Sequence, residues 1–236
     1  MEILAVSNSK KEPIAPWWHT VLVLVPLAAG SAVSAHQHTL EHVSLPGVSS
    51  RLSAYFTVMV EEWFVVLLIW LALRHRGLSM GEIVSGNWFK PSAFLKDLGL
   101  AVGFLLVAVP LEAIASRLLG SSGGEISFLP GSWWEATVWI FLSATAGFAE
   151  ELIFRGYLTR QIHAWTGNLA LAITIQGLLF GLAHGYYSTS MIVIALYGWL
   201  IAIMAWCRNS LRPGMLAHGL EDATLGLLTF FLARSR

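Results

Sequence analysis

Seven apolar stretches of about twenty residues or slightly fewer run through this chain, at positions 17–35, 52–73, 98–119, 133–154, 169–184, 191–207 and 215–232. A helix that crosses a bilayer needs about 20 mostly apolar residues. In lipid, a helix has the further advantage of satisfying its backbone hydrogen bonds internally. The sequence therefore predicts an all-α fold, a polytopic transmembrane helix bundle of about seven spans. The fifth and sixth stretches are short, as tilted or partly re-entrant segments are. Composition agrees, because only 12% of the residues are charged, against about 25% in a soluble domain. Too few charges remain to cover a water-facing surface.

The same composition narrows the function. Formal net charge is zero and no basic cluster is present, which argues against nucleic acid as a partner. A single cysteine, Cys207, excludes an internal disulfide and a multi-thiolate zinc site. Residues 1–16 carry Lys10, Lys11 and Glu12 without the order of a signal peptide, and are read as a cytoplasmic N-terminal tail. Residues 17–236 are read as a single transmembrane domain without repeats. Trp17, Trp18, Trp133 and Trp134 stand at segment ends, where an aromatic belt would put them. Lys10, Lys11, Arg74, Arg76, Lys90, Lys96, Arg155, Arg160, Arg208 and Arg212 fall on one side if seven spans alternate, so that side is expected to be cytoplasmic. Arg234 and Arg236 dissent.

Ionisable residues inside spans are costly and are functional candidates by default. In 149–155, Glu151 and Arg155 are four apart and share a helix face in the favourable order for an ion pair. Glu150 is turned about 100° away and is free to point elsewhere. An anchoring salt bridge at a helix end would read the same way. His184 closes the next stretch, and taken alone is an ordinary interfacial histidine. Depth adds to it: the turn is expected at Trp165-Thr166-Gly167-Asn168, and Glu150 and His184 both lie about 25 Å from it at ~1.5 Å per residue. An antiparallel pair makes them level, provided that the segment after Arg155 continues as helix. His218 and Asp222, four apart, also share a face, while Glu221 is turned away. Near Pro213-Gly214 this pair also suits a plain solvated helix start.

Together these motifs supply a carboxylate, two imidazoles and a fourth polar group, the inventory of a water-activating hydrolase. The set also suits zinc, which accepts histidine nitrogen and carboxylate oxygen. No HExxH and no Gly-x-Ser-x-Gly elbow is present.

Glu-Glu-x-x-x-Arg, then Phe-x-x-x-His, then His-x-x-x-Asp on successive apolar segments resembles the CPBP family. These are the intramembrane endopeptidases of the CAAX prenyl protease type 2 and lysostaphin-resistance-protein-A-like (Abi) kind. The resemblance covers roughly 132–230. It implies peptide-bond hydrolysis in a membrane-associated peptide or protein tail. Glu150 would activate water with His184 as partner, His218 and Asp222 would hold the oxyanion or help bind a metal, and Glu151 and Arg155 would support. Eukaryotic members carry Asn where this chain has Asp222. An ionised Asp cannot donate a hydrogen bond, so Asp222 is either protonated or a ligand, and the substitution leans toward a divalent metal such as zinc held by His184, His218 and Asp222. The expected setting is the plasma membrane of a prokaryote. A non-catalytic immunity or scaffold protein and a proton-coupled transporter are the rival readings.

Other polar features stay outside the motif. Glu61 and Glu62 lie mid-span, about 100° apart, so one is expected to face the site or Arg155. His36, His38 and His42 with Glu41 occupy an outward loop, and Glu112 follows Pro110 at an expected kink. His218 lies only a few residues past Arg212, which puts it too shallow for the other motifs unless Gly198 or Pro213-Gly214 breaks a helix.

Overall fold

The computed structural model describes residues 12–40, 51–86, 89–121 and 128–235, with the side chains of 36–40 excepted. The histidine and glutamate set at 36–42 and Arg236 fall outside these descriptions. The described elements are helical: α1 Trp17–Leu40, α2 Arg51–His75, the short α3 Met80–Val84, α4 Pro91–Leu119, α5 Trp133–Glu150, a π-helical stretch Glu151–Leu158, α6 Thr159–Thr166, α7 Leu169–Ala183, α8 Thr189–Arg208 and α9 Arg212–Arg234.

Among the described residues, five helices are long and apolar enough to cross a membrane: Trp17–Ala35, Arg51–His75, Pro91–Leu119, Trp133–Thr166 and Thr189–Arg208. Two of the seven expected segments do not meet that standard. Helix α7 has only 15 residues. Helix α9 has 23, but His218, Glu221 and Asp222 lower its hydropathy.

Local chemistry sets the boundaries. Ser132 caps α5 reciprocally with Glu135: the Glu135 amide donates to Ser132 Oγ at 3.2 Å, and the Ser132 amide to Glu135 Oε2 at 2.9 Å. The expected turn after Trp165 is present. Gly167 adopts φ +66, a left-handed helix end suited to glycine, and the Asn168 side chain accepts from the Leu171 amide at 3.0 Å. From Trp133 to Thr166 the chain is helical throughout, so the continuation past Arg155 that the depth argument requires is there.

Packing places α9 along α5 and α8 along α7. Small residues permit this closeness, as between membrane helices generally. A Cβ on Gly147 would stand 2.7 Å from the Gly219 amide and the Met215 carbonyl. One end of this pair is marked by Arg234, whose guanidinium lies 4.6 Å from the Phe230 ring and 5.3 Å from that of Trp133. Arg234 thus sits beside the start of α5, which accounts for its dissent from the other basic residues. Trp17, Trp18, Trp133 and Trp134 are exposed at their helix starts. Helix α1 docks through buried polar contacts: Tyr157 Oη lies 2.9 Å from His19 Nδ1 and 3.0 Å from Thr20 Oγ1, and Gln161 accepts from the Ala15 amide at 3.3 Å.

Candidate active site

The centre of the site is the Glu151 carboxylate, which is fully buried where α5 passes into the π-helical stretch. Its Oε1 meets Arg155 Nη1 at 3.0 Å and His218 Nδ1 at 3.1 Å. The i,i+4 pair read from sequence is therefore formed, and it has a third member. Removing one partner from such a buried pair would leave an uncompensated charge. Arg155 also donates from Nη2 to the Gly198 carbonyl at 3.1 Å and lies 4.1 Å over the Phe180 ring. One guanidinium therefore ties the π-helical stretch to α7 and α8.

Gly198 makes this possible by its size. A Cβ there would stand 2.9 Å from Phe180 Cδ1 and 3.3 Å from Arg155 Nη2. Helix α8 runs unbroken through Gly198, so that glycine makes room for a neighbour and does not interrupt the helix. Gly214 acts likewise for α9, since a Cβ would be 3.1 Å from Glu151 Oε2. Pro213, Gly214 and Met215 are all buried with His218. The start of α9 is thus sunk between its neighbours, and His218 is not shallow. The expectation that a broken helix was needed to bury it is corrected by this packing.

His218 Nδ1 faces a carboxylate, an acceptor, so Nδ1 carries the hydrogen. The opposite nitrogen, Nε2, lies 3.7 Å from Asp222 Oδ2 and 3.9 Å from Glu150 Oε2. Both gaps exceed a hydrogen bond and suit an intervening water or substrate oxygen. Glu150 and Asp222 keep partial side-chain exposure, 18% and 33%, whereas Glu151 has none. The two adjacent glutamates are thus separated into a buried strut and an accessible carboxylate. The Asp222 backbone is fixed by Trp139, which donates from Nε1 to its carbonyl at 2.8 Å.

His184 forms the C-cap of α7. Its Nδ1 lies 2.8 Å from the Phe180 carbonyl, and a carbonyl only accepts, so the neutral ring has its lone pair on Nε2. Phe180 is the wall between the two histidines, with ring centroids 4.7 Å from His184 and 5.8 Å from His218. No direct hydrogen bond joins Glu150 to His184. The structure gathers Glu150, Glu151 and Asp222 around the His218 ring, with Arg155 paired to Glu151 and His184 across the Phe180 ring.

Two neighbours lie outside the sequence motifs. Glu62 of α2 is buried, and its carboxyl interacts with that of Glu150. Its mid-span charge was the signal, but which of Glu61 and Glu62 turned inward depended on packing. Glu61 faces α1 instead, where Gly30 leaves room for its carboxyl. Tyr197 of α8 stands 5.9 Å, ring to ring, from His218, and nothing in the sequence set it apart from other apolar-face aromatics.

The metal expectation is tested by the donor geometry. Among the described residues, no three His, Cys, Asp or Glu side chains converge with the spacing of a metal site. His184, His218 and Asp222 therefore form no ready ligand shell, and the chemistry below is derived without one.

No curated protein and no solved structure compared with the chain matches it. A family model does, over residues 132–224, from the Ser132 cap of α5 to just past Asp222. Over that segment the chain is similar to the type II CAAX prenyl endopeptidases, Rce1-like.

Proposed function

We propose that this chain is an intramembrane endopeptidase that hydrolyses a peptide bond in a membrane-associated peptide or protein tail, with Glu150 as the general base. The family match of the segment 132–224 supports a protease with a peptide substrate in a membrane setting. The observation that carries the finer reading is the Arg155–Glu151–His218 assembly, which aims His218 Nε2 into the space between Glu150 and Asp222.

In this reading Glu150 takes a proton from water as the water attacks the scissile carbonyl. The lone pair on His184 Nε2 accepts a hydrogen from the same water and orients it. The carbonyl oxygen becomes an oxyanion beside Nε2–H of a His218 ring that holds hydrogens on both nitrogens, with Asp222 in its protonated form as the second donor. The proton on Glu150 then passes to the leaving amine, the bond to carbon breaks, and the carboxylate is restored. Glu151 and Arg155 touch no substrate and act by holding His218.

The test is cleavage of a membrane-anchored peptide by purified protein, wild type beside Glu150→Gln, with EDTA and with added zinc. The reading requires an EDTA-resistant wild type and an inactive, normally folded variant. A wild type silent under all conditions would favour the scaffold or immunity reading instead. EDTA-sensitive cleavage restored by zinc would return the metal.

A further inference from the structure

Where α4 and α9 begin and α8 ends, a depression of about 420 Å³ is lined by Lys96, Asp97, Arg208, Asn209, Ser210 and Arg212. It is remote in sequence from the Glu150 motif and plays no part in the proposed chemistry. Three cations face one carboxylate there. Asp97 is buried, ion-paired with Arg212 and 3.5 Å from Arg208. Among the residues that line the depression, three are cationic and one is a carboxylate, so the lining itself is net positive.

The walls are fixed by the backbone. The Leu211 amide donates to the Val84 carbonyl at 3.0 Å, and Ser210 Oγ donates to the Val84 and Ser85 carbonyls, 3.3 Å from each. Gly86, at φ +85, sits against the Arg212 guanidinium where any Cβ would collide with it. The α8–α9 turn, α3 and the arginine are thus held as one unit.

The surroundings are apolar. Leu95, next to Lys96, and Trp206, close to Arg208, are exposed on helices of the membrane-spanning class. A second groove shares Asn209 and Ser210 with the depression and is lined further by Arg155, Thr159, Arg160, Ala202, Ala205 and Trp206. Positive charge at a helix end beside exposed apolar side chains of membrane-spanning helices matches a ligand with an anionic head and a hydrocarbon tail. Guanidinium forks and a lysine point charge recognise phosphate, and basic pockets between membrane helices take anionic headgroups.

We propose that this depression binds the phosphate of an anionic phospholipid headgroup, with an acyl chain lying along the exposed Leu95 and Trp206. The proposal stands apart from the peptidase reading, and either can fail without the other.

The experiment uses the full-length protein and counts retained lipid by native mass spectrometry, with dioleoylphosphatidylglycerol against dioleoylphosphatidylcholine. Lys96→Gln and Arg208→Gln are compared with wild type. Lys96 is exposed, so its loss leaves the Asp97 pairs intact and folding undisturbed. Wild type is expected to retain the anionic lipid about tenfold better, and each substitution to lower that preference about fivefold. A parallel thermal melt should show stabilisation by the anionic lipid and little by millimolar inorganic phosphate. Equal retention of the two lipids, an unchanged preference in Lys96→Gln, or phosphate alone matching the lipid would each overturn the proposal.

Discussion

Helix α4 and the helix Trp133–Thr166 answer to opposite demands. The first has the higher mean hydropathy, 2.2 against 1.3, yet only 11% of its span window is buried against 56% for the second. In water the more apolar helix would be the more buried one. In lipid the hydrocarbon is as apolar as leucine, so hydrophobicity does not drive helices together, and polar groups are what move inside. The interior of this bundle is therefore marked by Glu151, Arg155, Gln161, Gln176 and His218, and its rim by Leu106, Val107 and Leu118.

The largest effect that would sharpen this contrast is expected at the Glu151–Arg155 pair. Glu151→Gln leaves Arg155 and the His218 ring facing a neutral amide in a dry setting, and breaking such a buried pair costs about 3–5 kcal/mol. Folded yield and thermal midpoint in detergent should fall steeply. A normal midpoint would mean that water reaches the pair and that the interior is not what its burial implies.

Next comes Glu150→Gln, one position away. Because Glu150 is partly exposed and is no strut for Arg155, folded yield should stay near wild type. Turnover should drop by at least about 10²-fold, as for loss of a general base. Adjacent residues would then separate cleanly, one acting on stability and the other on rate. Comparable activity in Glu150→Gln would remove it from the reaction.

Sequence carried much of this contrast but not all of it. The i,i+4 spacing of Glu151 and Arg155, the Gly167–Asn168 turn and the helical continuation past Arg155 follow from helix geometry, which a sequence encodes directly. The burial of His218 does not. It depends on Gly214 and Gly198 making room for Glu151, Phe180 and Arg155 on other helices, a tertiary fact with no periodic signature. The same holds for the inward turn of Glu62 and for the π-helical stretch at Glu151–Leu158. Of the seven expected spans, α7 falls below the length of a crossing helix and α9 spends its length on the polar groups of the site.

A smaller effect separates two glycines. Gly147→Ala places a Cβ against the backbone of α9 at 2.7 Å, and overpacking of this kind costs about 1–3 kcal/mol. Gly103 of α4 has nothing within 4 Å of a built Cβ, so Gly103→Ala should be neutral or raise stability by up to about 1 kcal/mol through helix propensity. Thermal midpoints of the two variants measure the difference. Equal shifts would mean that α4 is covered in the membrane by something its exposure does not reveal.

The smallest change is expected at Asp222→Asn, and it bears on mechanism most directly. Asp222 is partly exposed and 3.7 Å from His218 Nε2, beyond a hydrogen bond to that ring. If it donates to the oxyanion it must hold a proton, and raising the pH removes that donor. Asparagine supplies an N–H at every pH, so Asp222→Asn should keep activity within a few-fold and extend it toward higher pH. If the side chain were instead a metal ligand, the amide would be the poorer donor, and metal affinity would fall with activity by about 10–100-fold. The two outcomes differ in sign at alkaline pH and in their response to EDTA. The absence of a three-residue ligand grouping among the described residues favours the first. A pH–rate profile of Asp222→Asn beside wild type, each with and without EDTA, decides between them, and a variant that loses activity across the whole range would return Asp222 to the ligand role.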